Sequence, residues 1–184
     1  MHHSLGIHAL VWVGSWGEAN ARRAMEGARA CGYDRLEIPL LDSWEIEVPM
    51  TRRLLEEHGL AMTGNQFLTA ETDITSEDPD VVAAGERRLI DAVGLVGDLG
   101  GDYLCGTIYS KLGRYETPPT AQGRENCAGA LRRVADHAGG PGSGSGSSCA
   151  TGSRPTCSTR PARRSTSWTR STVPTCASTS TPTT

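Results

Sequence analysis

Glu37 is the residue whose setting most demands a chemical reason. It is the one acid inside the apolar run 35–41 (RLEIPLL), and burying a carboxylate is costly unless it gains hydrogen bonds or a counter-charge. A supporting polar role suits a single carboxylate there better than direct catalysis. Asn65 and Gln66 close another run, 60–67 (LAMTGNQF), and their amides can bond hydroxyl groups. Other polar residues have plainer readings. His58 and His137 lie on amphipathic stretches and are expected in solvent. Asp73, Glu77 and Asp78 precede a helix, where acids complement the dipole, and His2 and His3 would hold a metal only adventitiously. The six cysteines include no C-x-x-C pair. Cys31, Cys105 and Cys127 are therefore expected to be reduced and mostly buried, as in a cytoplasmic protein.

These residues need elements to hold them. Residues 5–13 (LGIHALVWV), 35–41, 60–67 and 103–109 (YLCGTIY) read as strands buried on both faces. Helices are expected over 18–31, with Ala21, Ala24, Met25, Ala28 and Cys31 inward, over 51–58, about 80–99 and about 121–137, the last with Cys127, Leu131 and Val134 inward. Gly32, Gly59 and Gly100 stop the first three, and Pro39 ends the second strand. Trp12 reads as core. Strict strand–helix alternation predicts a parallel sheet with helical crossovers. Four such units are half of an eight-unit barrel. A doubly wound sheet usually carries a G-x-G-x-x-G loop after its first strand, whereas this chain has Gly14-Ser-Trp-Gly17.

The pattern stops near residue 139. Residues 139–184 contain no Asp, Glu, Lys, Leu, Ile, Met, Phe or Tyr, only small and polar residues with five Arg, one Val and one Trp. Such a segment cannot offset about 1–2 kcal/mol of backbone entropy per residue, and no packed structure is expected of it. Two parts follow: 1–138, a partial α/β barrel domain, and 139–184, a low-complexity tail. The tail holds five of the 18 basic residues and none of the 21 acids, so 1–138 carries a balance of −8. An acidic body argues against nucleic acid as partner. No apolar run approaches the roughly 20 residues of a membrane span, and the opening residues lack the order of a signal peptide.

The segments GIHALVWVGSW (6–16), GYDRLEIPLLD (32–42), ETDITSEDP (71–79) and DLGGDYLCGTIYS (98–110) resemble the sugar phosphate isomerase/epimerase family, in particular the D-tagatose and D-allulose 3-epimerases. The resemblance covers nearly all of 5–138. It implies a metal-dependent (β/α)8 barrel using Mn, Co or Mg, which moves a proton beside the carbonyl of a small-molecule ketose, with two glutamates flanking the substrate. It also implies that His8 and Trp16 line the sugar pocket, His8 standing where Phe or Tyr is usual. Gly106, Thr107 and Leu112 match the loop that closes over substrate, Leu112 standing where a bulky aromatic is common. Asn65 joins these as a substrate contact and Glu37 as a supporting polar group.

By the same resemblance, the metal ligands and both catalytic glutamates belong to strands five to eight, so this chain offers no catalytic residue and no metal ligand. Regrouping the codons of 174–183 one nucleotide earlier permits Pro-Asn-Val-Arg-Val-His-Leu-Asp-Thr-Tyr, and 155–161 permits Thr-Asn-Val-Leu-Asn-Thr-Ala, both similar to the family. The tail thus reads as an out-of-frame copy of the missing strands, and the chain as inactive. Two open sheet edges predict a homo-oligomer or aggregation. The rivals are a hydroxypyruvate isomerase or inosose dehydratase, a DNA-repair endonuclease of the same fold, and a non-enzymatic fragment.

Overall fold

The computed structural model describes residues 4–139. The tail's expected irregularity, His2, His3 and the three tail cysteines lie outside them. Within them strands and helices alternate: β1 (Gly6–His8), α1 (Glu18–Ala30), β2 (Arg35–Pro39), α2 (Val48–His58), β3 (Ala61–Asn65), α3 (Pro79–Asp98), β4 (Leu104–Cys105) and α4 (Ala121–Gly139). The strands form one parallel sheet in the order β1-β2-β3-β4. Sequential order with parallel pairing has no switch point, so right-handed crossovers stack every helix on one side. That is the arc of a barrel, not a doubly wound sheet.

The register sorts side chains by face. Ile7, Leu36 and Met62 align across three strands, as do Ile38, Gly64 and Leu104 across β2–β4. This face packs on the helices, and Leu36 and Ile38 join Ala24, Met25, Leu54, Leu55 and Val96 in the main core. Gly64 is small for a reason: a Cβ there would lie 2.4 Å from Val96 Cγ2. A second cluster, Leu68, Ile74, Leu89, Ala130 and Val134, fills the space between α3, α4 and the chain leaving β3. The inward residues of α1 are Ala21, Ala24, Met25 and Ala28, as the spacing predicts.

Several local expectations are corrected. The first strand ends at His8, because His8 Nδ1 accepts from Leu10 N at 3.2 Å and winds Ala9–Val11 into a 3-10 turn. Trp12, at the end of that turn, packs against the core from a half-buried position. The fourth strand ends at Cys105, because Gly106 takes φ 111° and turns the chain aside. The second helix starts a turn early, where the Glu47 carboxylate caps Met50 N at 2.7 Å. Cys31 is exposed rather than inward, and Cys105 and Cys127 are only half-buried. His58 is half-buried, its Nε2 covered with no hydrogen-bond partner.

Candidate functional site

The other sheet face holds the chemistry. His8 aligns with Glu37 and Thr63, and Pro39 with Asn65 and Cys105. Gly6, Arg35, Glu37, Thr63, Asp102, Tyr103 and Cys105 line an open trough of about 570 Å³. Alternation turns the strands' apolar residues toward the helices and leaves their polar ones on this face.

Glu37 is the hub. Asn65 Nδ2 donates to its Oε1 at 2.7 Å, and His8 Nε2 lies 3.6 Å from the same oxygen, with the two side chains 28% and 29% exposed. Because His8 Nδ1 already accepts from Leu10 N, the neutral imidazole carries its proton on Nε2, facing the carboxylate. Asn65 Nδ2 also lies 3.8 Å from Cys105 Sγ, and that thiol donates to Gly64 O at 3.4 Å. Burial first, and then the Glu37 charge, push the Cys105 thiol up to about 11, so it stays protonated. At the other end of the trough Arg35 pairs with Asp102 and donates to Met62 O at 2.8 Å. The Arg35 hydrogen bond holds the Asp102 carboxyl below its usual range, against a weaker opposing effect of burial.

The structure brings His8, Glu37 and Asn65 together, but Trp16, Gly106, Thr107 and Leu112 are not among the residues that line the trough. Trp16 is 9% exposed; its indole donates to Thr51 Oγ1 at 3.0 Å and stacks on Trp44 with centroids 5.4 Å apart. Gly106 follows Cys105 where a Cβ would meet Gln66 O at 2.1 Å, so only glycine fits. Thr107 O accepts from Leu68 N at 3.2 Å, and the Leu112 side chain is 60% exposed. Gln66 is buried, its Nε2 donating to Phe67 O at 2.6 Å.

Asp73 is corrected more sharply. It is no dipole complement: the N-cap of α3 is Asp78, whose carboxylate accepts from Asp80 N at 2.9 Å. Asp73 is 6% exposed and accepts from Tyr115 Oη at 2.6 Å and from Thr75 Oγ1 at 2.7 Å. Burial raises its carboxyl, but the hydrogen bonds from Tyr115, Thr75 and the Lys111 backbone together outweigh that and hold it below the usual range. Sequence spacing missed this, since Tyr115 is 42 residues away.

No protein-family model matches the sequence. Similarity to individual proteins is strong. The chain is 46% identical over 137 residues to an L-ribulose 3-epimerase of Methylomonas sp. (strain DH-1), covering 74% of this chain and 48% of that protein. It is 41% identical over 134 residues to a ketose 3-epimerase of Arthrobacter globiformis, covering 73% and 46%. A crystal structure of D-allulose 3-epimerase from Methylomonas sp. in complex with D-allulose superposes with a TM-score of 0.70 at 46% identity, covering 73% of this chain and 47% of that one. The chain belongs to the ketose 3-epimerase family. It spans about half the length of the curated relatives it matches. The sequential parallel order is thus the epimerase barrel seen over four units.

The divalent ion implied by resemblance does not fit the residues at hand. Among the described residues no three His, Cys, Asp or Glu side chains converge as ligands. Glu37 already accepts from Asn65, and a Cys105 thiol titrating near 11 is a poor ligand at neutral pH. Among the described residues no helix is long and apolar enough to cross a membrane.

Proposed function

We propose that residues 4–139 form the ligand-holding half of a ketose 3-epimerase, with the trough at Glu37 taking the hydroxyl-bearing end of an open-chain ketose. Epimerisation at C3 removes the proton there and returns one to the opposite face, so it needs a base and an acid around an enediol intermediate. The described residues are assigned holding, not proton transfer. Glu37, already bonded to Asn65, retains lone pairs for vicinal hydroxyls, and the His8 Nε2 proton and the Asn65 amide add donors. By the resemblance, Trp16, Gly106, Thr107 and Leu112 are assigned to the pocket wall beyond the trough's own lining. The proton-transfer glutamates and the Mn, Co or Mg site belong to the remainder of a full barrel. Residues 139–184 supply neither, the open edges favour a homo-oligomer, and the expected location is the cytoplasm.

The observation that carries this reading is the Glu37–Asn65 hydrogen bond, with His8 beside it, at the strand ends of a chain 46% identical to an L-ribulose 3-epimerase. Saturation-transfer NMR with D-allulose, D-fructose, D-tagatose and L-ribulose tests it. Binding is expected for at least one ketose, weakened about tenfold or more in Glu37→Ala because a charged hydrogen-bond acceptor is lost. No C3 deuterium incorporation is expected in D2O with Mn or Co added. Ketose binding indifferent to Glu37, or chelator-sensitive epimerisation by the 184-residue chain, would overturn the assignment.

A further inference from the structure

The connection between β4 and α4 carries Gly106, Thr107 and Leu112, and it is stitched down at separate points. Leu68 N donates to Thr107 O at 3.2 Å and Leu112 N donates to Leu68 O at 2.7 Å, so the loop meets the chain leaving β3 at one isolated parallel bridge, Leu68 with Lys111. Leu68 is itself core. Further along, the Tyr115 hydroxyl is a junction. It donates to Asp73 Oδ2 at 2.6 Å, receives Lys111 N at 3.1 Å, and lies 3.1 Å from Thr75 Oγ1. The Lys111 ammonium sits 4.8 Å above the Tyr115 ring.

The anchor for this junction is rigid. A Cβ on Gly85 of α3 would lie 2.2 Å from Thr72 O, and one on Gly123 of α4 would lie 2.5 Å from Thr75 O. Asn126 Nδ2 donates to Ser76 O at 2.8 Å. The segment 72–76 is therefore clamped between two helices, and Asp73 within it is buried with both oxygens bonded. A buried carboxylate satisfied only by hydrogen bonds is a demanding partner, since losing one of them leaves a desolvated charge.

We propose that Asp73, acting through Tyr115, is a positioning residue that fixes the loop bearing Thr107 and Leu112 and so sets which ketoses the trough admits. The ketose part rests on the function proposed above; the positioning part does not. The loop is then a wall built before the ligand arrives, and Asp73 acts on the ligand without touching it.

Hydrogen exchange on the 184-residue chain tests the positioning. In Tyr115→Phe, which keeps the ring and removes only the hydroxyl, amides of 107–112 should exchange about tenfold faster or more, as the loss of one charge-assisted hydrogen bond implies. Asp73→Asn should do the same, and it should also lower the Tyr115 phenol titration seen by ultraviolet absorbance, since burial first and then the Asp73 hydrogen bond hold that phenol up. The ratio of dissociation constants for two ketoses differing at the chain end should shift toward one in both variants. Unchanged exchange in Tyr115→Phe and Asp73→Asn overturns the positioning role. Faster exchange with no ketose bound by the unaltered chain overturns the functional reading and upholds the clasp. Faster exchange with an unchanged affinity ratio confines Asp73 to holding the loop and overturns its part in selection.

Discussion

The two faces of the four-stranded sheet are built from alternate residues of the same strands, yet they follow different rules. The helix-facing side, Leu36, Ile38, Met62 and Leu104, is closed to solvent. The other side, with Arg35, Glu37 and Cys105, stays open to a trough and is joined by hydrogen bonds that run through Asn65 and Arg35. One face supplies folding free energy through apolar burial. The other can hold polar groups because folding asks little of them.

The largest test of that division is to compare neighbours in β2. Ile38 is fully buried, so Ile38→Ala should cost about 2–5 kcal/mol, the lost transfer energy plus a cavity. Glu37→Gln, one residue earlier, should stay within about 1 kcal/mol. Urea unfolding of the two variants measures both, and equal losses would erase the distinction between faces.

Glycines give a second comparison, somewhat smaller. At Gly64 an added Cβ would meet Val96 Cγ2 at 2.4 Å and Leu104 Cδ1 at 3.1 Å, while at Gly6 the nearest atom is Arg35 Cβ at 3.6 Å. Overpacking predicts a cost of about 1–3 kcal/mol for Gly64→Ala. Gly6→Ala should fall within about 0.5 kcal/mol, as at an unconstrained surface site.

How much of this could be read from the sequence follows from the range of the forces involved. Apolar runs and alternation are local, so four strand–helix units, the inward face of α1 and the barrel order were legible. Glu37 and Asn65 stood out as polar residues in apolar runs, and the structure joins them. The strand ends were not legible, because His8 caps its own turn and Gly106 turns at φ 111°. Nor was the role of Asp73, whose partner Tyr115 arrives through tertiary packing. Cys105 gains its perturbed thiol only once β2 and β3 lie beside it.

Polar groups also divide by burial, and acid should expose that. Hydrogen bonds hold the Asp73 carboxyl below its ordinary value despite burial. A depressed folded-state pKa contributes stability that is present above the unfolded value, about 3.9, and is lost as pH falls through the folded value. The unaltered chain should therefore lose stability below about pH 4 more steeply than Asp73→Asn, which has no carboxyl to protonate there. Urea midpoints against pH measure the two slopes, and parallel curves would show that Asp73 is not linked to folding.

The smallest expected effect reads the trough from inside. Cys105 titrates near 11 because burial disfavours its thiolate and the Glu37 charge adds to that. At about pH 8, roughly one Cys105 thiol in a thousand is then ionised, and only that form is alkylated. Iodoacetamide labelling followed on the Cys105 peptide should accordingly be slow. Glu37→Gln removes the charge and leaves the burial, so labelling should speed up a few-fold and no more. A rate unmoved by Glu37→Gln would mean that burial alone governs the thiol, and that the Glu37 carboxylate does not face Cys105 across β3. A rate rising a hundredfold would mean that the polar face is opened by the substitution, and that Glu37 holds the strand ends together after all.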